Sequence, residues 1–208
     1  MTHPLPPAHA TRVVEVDPGR IPRWVEGFDG RHGGVEVREV EGRVVAVTGG
    51  DGASAVFDWF SHEPLGLVLV RRGGYAVGLA RAGGLTAHKV GTRHVQSRTA
   101  AGGWSQQRFA RRRGNQADAL VEAVAGHALR VLLGGDESPR TGAPGIPAGL
   151  VVGGDRTLAA AVLEDSALRA LRGLPRRELY DLGDPRRAVL DDALRRGRAV
   201  RITLTDPT

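Results

Sequence analysis

Three strand-like segments in succession, each separated from the next by a glycine-rich turn, constrain the fold of this chain more than any other feature. The segments run from Leu65 to Arg71, from Tyr75 to Arg81 and from Leu85 to Val95. The turns, Arg72-Gly73-Gly74 and Ala82-Gly83-Gly84, have hairpin length, and glycine readily supplies the positive φ that tight hairpins need. The sequence therefore predicts an antiparallel meander of three strands.

A long helical pattern follows the meander. Its apolar residues recur at helical spacing on one stripe that ends before Gly134-Gly135, and they are Phe109, Ala117, Leu120, Val121, Val124, Ala128 and Val131. After a surface loop, the patterns predict a strand, a helix with a break near Asp165, a strand, a helix and a strand, at Leu150–Gly154, Thr157–Arg172, Glu178–Leu182, Pro185–Arg196 and Ala199–Thr205. A meander, a long helix and then β-α-β-α-β predict an α/β mixed sheet with helices on its faces. This order resembles the ribonuclease-H-like fold.

A smaller module precedes the meander. Residues 1–10 contain three prolines and no periodicity, which predicts a disordered arm. The next segments predict a strand, an amphipathic helix, a hairpin and a further apolar strand, at Arg12–Asp17, Pro18–His32, Val35–Thr48 and Ala53–Phe60. We therefore expect an N-terminal α+β module over residues 11–61 and a larger domain over residues 62–208.

The residue types that are missing exclude several kinds of chemistry. The chain has no cysteine, so it has no disulfide, thiolate nucleophile or cysteine-bound zinc. Its seven histidines show no metal-ligand spacing, and the segment from Leu65 to Arg72 lacks the carboxylates that a two-metal nuclease needs on its first strand. Asp155, Glu164 and Asp165 come late in the chain and are typical of helix caps and surface positions. We expect no metal and no cofactor.

The hydropathy of the sequence predicts no membrane-spanning segment. The longest apolar run, Leu65 to Val70, is far shorter than the roughly 20 residues that span a bilayer. The start, MTHPLPPAHA, has neither the charged nor the apolar region of a secretory signal. We expect a cytoplasmic protein that acts as a monomer.

Positive charge is concentrated in one segment. The chain has 29 basic and 23 acidic residues, and seven of the basic residues but no acidic residue lie between Lys89 and Arg113. The rest of the chain is nearly neutral. A surface that neutralises several phosphates of an RNA needs such a concentration, although a solvated helix face gives the same pattern.

The same segment contains a glycine pair, Gly102-Gly103, directly before the long helix. Glycines let the backbone approach another molecule closely, Ser105 can cap the helix, and a helix N-terminus favours a phosphate or a developing oxyanion. Trp104 can stack on an unpaired base. Arg108, Arg111, Arg112 and Asn115 share one helix face by their spacing. The histidines His88 and His94 can either contact RNA or serve the structure.

The sequence Gly102-Gly103-Trp104-Ser105-Gln106 resembles the catalytic loop of Vms-type release-factor-like proteins, a branch of the archaeo-eukaryotic peptide-chain release factor superfamily. In that loop a Gly-Gly or Gly-Ser/Thr pair shortly precedes Ser/Ala-Gln. The flanking Arg98-Thr99 and the arginine-rich helix fit the actinobacterial group of peptidyl-tRNA hydrolases. Trp104 lengthens the interval before the glutamine, and Gln107 follows it, so both glutamines stay candidates, with Gln106 favoured by the Ser-Gln pair.

The resemblance implies a release factor that hydrolyses peptidyl-tRNA on the large subunit of stalled ribosomes, in ribosome-associated quality control. It implies a catalytic group of Gly102, Gly103, Ser105, Gln106 and Gln107, in which the glutamine positions water and needs no metal. The expected RNA-binding residues are Lys89, Arg93, His94, Arg98, Trp104, Arg108, Arg111, Arg112 and Arg113. Two alternatives stay open: a tRNA endonuclease that cuts near the CCA end, and a non-catalytic tRNA- or ribosome-binding module.

Overall fold

The computed structural model describes residues 11–92, 104–134 and 146–207, and for residues 104–113 it describes the backbone but not the side chains. The chain divides into two compact units. One comprises the chain up to Ser61 together with the segment from Arg198, and the other comprises His62–Gly197. The predicted arm over residues 1–10 lies outside the described residues.

The elements follow the predicted order closely. The first unit contains β1 (Thr11–Val16), α1 (Ile21–His32), β2 (Glu36–Val40), β3 (Arg43–Thr48) and β4 (Ser54–Asp58). The second contains β5 (Leu65–Arg71), β6 (Gly74–Arg81), β7 (Gly84–Thr92), α2 (Trp104–Leu132), β8 (Gly149–Gly154), α3 (Arg156–Leu163), β9 (Arg176–Leu179) and α4 (Arg187–Arg198). The last strand is β10 (Val200–Thr205). The mixed α+β class is confirmed.

The first unit is an antiparallel sheet in the order β1-β10-β4-β3-β2, packed against α1. Trp24 and Phe28, one helical turn apart on α1, enter this core. Trp24 stacks on Phe28 with ring centroids 5.4 Å apart and meets the edge of Phe57 at 5.3 Å. Aromatic pairs of this geometry add to the free energy of burial, so these side chains hold the helix on the sheet.

The position of β10 corrects the expected order. We expected this strand to complete the sheet of the second domain, but it pairs with β1 and β4, where Ile202 faces Val14 and Phe57. Its residues alternate between buried and partly buried, whereas all six residues of β8 are buried. An alternating strand fits a sheet with one wet face, and a uniformly apolar strand fits a sheet covered on both faces.

The second unit is a mixed sheet in the order β7-β6-β5-β8-β9. The predicted meander is confirmed, since β5, β6 and β7 are antiparallel neighbours, and β8 and β9 run parallel to β5. One face packs on α2 and α3 through a core that includes Val68, Val77, Leu120 and Val124. On the other face Leu190 of α4 lies over Gly78. The longest predicted helix therefore covers the meander.

The predicted break near Asp165 is confirmed, and aspartates mark it. Asp155 caps α3, because its Oδ1 accepts a hydrogen bond from the Leu158 N–H at 3.1 Å. Asp165 accepts one from the Ala167 N–H at 2.9 Å and begins a 3₁₀ helix at Ser166–Leu171. The amides of the first turn of a helix have no carbonyl partner within that helix. Each carboxylate accepts a hydrogen bond from one such amide, so each aspartate marks the start of a separate helix.

Replacing Asp155 by alanine is expected to destabilise the protein by about 1 kcal/mol, because the Leu158 amide loses its acceptor at the start of α3. Urea denaturation measures this difference. Glu164→Ala is the matched control: Glu164 is exposed and pairs with Arg172 only at 3.8 Å, so we expect a change within about 0.5 kcal/mol. Equal midpoints for Asp155→Ala and wild type would show that the cap contributes nothing.

Candidate functional site

Helix α2 carries most of the residues that the sequence associates with function. It is one continuous helix of 29 residues, which corresponds to a length of about 43 Å. It begins at Trp104, whereas the sequence predicted a loop up to Ser105 and a helix after it. Ser105, Gln106 and Gln107 therefore lie in the first helical turn. Gly102 and Gly103 lie outside the described residues.

The first backbone amides of α2 have no helical partner. An N–H in an α-helix donates to the carbonyl four residues earlier, and for Trp104, Ser105 and Gln106 that carbonyl lies before the N-cap position. The amide of Gln106 therefore belongs to the free donors at the positive end of the helix dipole, whereas the amide of Gln107 lies where helical hydrogen bonding begins. Such donors favour a phosphate or an oxyanion.

The described side chains of α2 change from exposed to buried between Gly114 and Leu120. Gly114, Asn115 and Gln116 are all exposed, Ala117 is partly buried, and Leu120 is fully buried. Among the residues of α2 whose side chains are described, packing on the core starts at Ala117. At 1.5 Å per residue, the backbone before that point extends about 20 Å to Trp104.

The arginines predicted to bind RNA, Arg108, Arg111, Arg112 and Arg113, occupy the first half of α2, and we call residues 104–116 the basic arm. Because the arm is helical, positions 108, 111 and 112 lie on the same side of its backbone. Arg93, His94 and Arg98 lie outside the described residues. The structure thus joins the first turn and four arginine positions in one rod.

Lys89 is not brought to the basic arm. It is exposed on β7, and its charge acts on His127, which lies about 35 Å along α2 from Trp104. Nearness in sequence to the arginines suggested one surface, but Lys89 lies on β7 and acts on His127 in the second half of α2, whereas the arginine positions lie in the first half. Lys89 therefore belongs to different surroundings.

His88 has a structural partner. Its Nε2 lies 3.0 Å from Nη1 of Arg187 on α4. An arginine side chain only donates, so His88 accepts this hydrogen bond through an unprotonated ring nitrogen. This contact favours a structural role for His88 over a contact with RNA.

Sequence reasoning did not single out the surroundings of His127. The ring of Tyr75 stacks on the imidazole, with centroids 4.9 Å apart and ring planes 18° apart. Nη2 of Arg130 lies 2.7 Å from Nδ1 of His127. The only signal in the sequence was the spacing of a histidine and an arginine three residues apart on a helix, which is too common to predict a site.

Two causes lower the pKa of His127. The larger is burial of the imidazole, and the positive charges of Arg130 and Lys89 lower the pKa further. The guanidinium of Arg130 donates to Nδ1, so the ring proton is on Nε2. A neutral ring stacked on tyrosine is the result.

We expect His127 to titrate below the ordinary histidine value of 6.5 in an NMR pH titration of its imidazole. Because the pKa of His127 is lower in the folded protein than in the unfolded chain, the unfolded chain takes up the imidazole proton at a higher pH. The contribution of neutral His127 to stability is therefore present above pH 6.5 and is lost as the pH falls from there toward the folded value. Arg130→Met should move the midpoint upward by removing one positive charge. A wild-type midpoint at or above 6.5 would contradict this account.

The described residues offer no metal site, since no three histidine, aspartate or glutamate side chains among them are placed to share an ion. Asp155 and Asp165, considered above as carboxylates, serve as helix caps, and Glu164 pairs with Arg172 at the surface. In the same described ranges, no helix is long and apolar enough to cross a membrane.

Comparison with known families decides which protein family is involved. The family model described as Actinobacteria/chloroflexi VLRF1 release factor matches residues 63–203, more than half of the 208 residues. The chain belongs to this family. No match was found among curated proteins.

The VLRF1 release factor match begins at the start of the second unit and ends within β10. It therefore includes the meander, the basic arm and the first turn of α2, and it leaves out the first four strands and α1. Membership makes the chain a release-factor-type protein of translation and associates it with the ribosome. The resemblance inferred from the glycine-glutamine segment is confirmed at this level.

Proposed function

We propose that this VLRF1-family chain hydrolyses peptidyl-tRNA on the large ribosomal subunit and so releases nascent chains from stalled ribosomes in the cytoplasm. The observation that carries the proposal is the position of Gln106 and Gln107 in the first turn of α2, directly after Gly102-Gly103, within the family match. This turn combines free backbone amides with a glutamine side chain at the end of a basic rod.

We also propose that the second unit has the ribonuclease-H-like arrangement. Its support is the strand order β7-β6-β5-β8-β9, in which a three-stranded meander is extended by two parallel strands, with helices on both faces. The two-metal chemistry associated with that fold is not part of the proposal, because the described carboxylates near β5 and β8 are caps or surface residues.

The chemistry proposed for the first turn is positioning. A glutamine has no pKa that would let it remove a proton from water, but its amide can hold water and the developing oxyanion in place. Water oxygen attacks the ester carbonyl carbon, the bond to the tRNA 3′ oxygen breaks, and that oxygen takes a proton that originates from the water. The products are a free peptide acid and a tRNA with an intact end.

The basic arm supplies the RNA contacts in this proposal. Four arginine positions lie within about two and a half helical turns of the helix start at Trp104. Guanidinium groups bind phosphates in pairs of hydrogen bonds and stay charged at any physiological pH.

The test is peptide release from large subunits that carry peptidyl-tRNA. Purified wild-type protein should convert peptidyl-tRNA into free peptide, and the double variant Gln106→Ala/Gln107→Ala should bind the complex and release almost none. Co-sedimentation with the subunit measures binding in parallel. If the double variant released peptide as fast as wild type, the protein would not use this turn for catalysis. If wild type bound but released nothing, the protein would be a binding module.

A further inference from the structure

A second cluster of aromatic and basic side chains lies at the packed half of α2, away from the basic arm. It consists of Tyr75 on β6, Lys89 on β7, and His127 and Arg130 on α2, and we call it the Tyr75–His127 patch. Lys89 and Arg130 are exposed, and His127 is partly buried. None of the chemistry proposed for the first turn of α2 uses Tyr75, His127 or Arg130.

The aromatic part of the patch is held rigidly. A side chain at Gly91 would place its Cβ 2.5 Å from the Tyr75 ring, so that ring lies directly on the glycine backbone of β7. On its other side the ring stacks on His127 at 4.9 Å. Arg130 then fixes the imidazole through Nδ1. A backbone, a phenol ring and an imidazole thus form one layered platform.

The charges of the patch are positive and separate from those of the basic arm. Arg130 and Lys89 both act on His127, from the helix and from the neighbouring strand. Asp118 and Glu122 precede Arg130 on the same ridge of α2, at about 18 and 12 Å along the axis. These carboxylates interrupt the positive surface, so the patch is a site of its own and not the end of the arm.

We propose that the Tyr75–His127 patch binds one unpaired nucleotide of an RNA, with the base stacked beside the His127 platform and the phosphate held by Arg130 and Lys89. Single-stranded RNA is recognised through stacking on aromatic rings combined with basic side chains next to them. The patch supplies both at a distance of about 35 Å from the first turn of α2. It therefore anchors the RNA at a second point. The proposal rests on the proposed function only in taking RNA as the partner.

NMR titration with a single-stranded hexa-adenylate tests the proposal. We expect the imidazole signals of His127 to shift with the oligonucleotide and to shift little with a blunt RNA duplex of equal phosphate count. His127→Ala and Arg130→Gln should each weaken oligonucleotide binding by roughly tenfold, the scale of one lost stacking or phosphate contact. His127→Phe keeps a ring and should bind more tightly than His127→Ala.

Arg195→Gln provides the matched control. Arg195 is an exposed arginine on α4, which packs on the opposite sheet face, and its removal should leave affinity unchanged apart from the small effect of net charge. Unshifted His127 signals, or wild-type affinity in both His127→Ala and Arg130→Gln, would overturn the proposal. The titration of the wild-type protein tests the proposal even if a variant fails to fold. Variants of Gln106 should bind the oligonucleotide normally, so failure of catalysis and failure of this site are distinguishable.

Photo-crosslinking identifies which RNA supplies the bound nucleotide. A crosslinking amino acid at position 127, in protein bound to large subunits that carry peptidyl-tRNA, should react with RNA. A crosslink to tRNA or a crosslink to ribosomal RNA supports the site and names its source. Crosslinks to ribosomal protein alone would overturn the assignment to RNA.

Discussion

We expect Gln106→Ala to lower the single-turnover rate of peptide release by about 10²- to 10³-fold, the usual cost of removing one donor that stabilises a developing oxyanion. The helix start at Trp104 places Gln106 within the first turn, where its backbone N–H is one of four free donors. Alanine keeps that amide and the helix but removes the side-chain amide that orients water. The loss should appear in the rate of release and not in binding of the complex.

Gln107→Ala is the matched control for this prediction. Gln107 lies in the same turn, and its position is about 100° further around the helix axis than position 106. We expect less than a tenfold loss for Gln107→Ala. If the losses were reversed between the two variants, Gln107 would be the positioning residue, and the assignment from the Ser-Gln pair would be wrong.

The second large effect concerns the basic arm. Arg111→Glu/Arg112→Glu should weaken RNA binding by roughly 10- to 100-fold at 0.15 M salt, with little dependence on RNA sequence, because two phosphate contacts and their released counterions are lost. The slope of log affinity against log salt should fall by about 0.7 to 0.9 for each contact. Filter binding over a salt series measures both quantities.

Arg169→Glu/Arg195→Glu changes the net charge equally and serves as the control. Both arginines are exposed, and they lie on the 3₁₀ helix Ser166–Leu171 and on α4, outside the arm. A general effect of net charge would weaken binding by the same factor in both double variants. If the arm variant kept the wild-type affinity and salt slope, its arginines would be solvated side chains without a role in binding.

Much of the fold follows from local patterns in the sequence. The meander was predicted because glycine-rich turns separate three apolar segments, and the helix over the sheet because Leu120, Val124 and Ala128 share a stripe. The break near Asp165 was predicted as well. Each of these features depends on residues close together in the chain, where spacing and capping chemistry act directly.

The features that the sequence did not reveal depend on distant partners. The alternation of Val200 to Thr205 predicts a strand but does not determine which of two sheets it joins. Lys89 was grouped with arginines that follow it, although a long helix separates their surroundings. The stack of Tyr75 on His127 joins residues 52 positions apart. No local periodicity encodes such contacts.

The central claim is that the ester of peptidyl-tRNA is the bond that is cut, and the 3′ end of the product tRNA tests it most directly. After a single-turnover reaction on large subunits that carry peptidyl-tRNA, the tRNA is isolated and its 3′ end is sequenced. Hydrolysis of the ester leaves a complete CCA end, which is the predicted result. A tRNA that ends short of CCA, with nucleotides still attached to the released peptide, would contradict the account and identify an endonuclease.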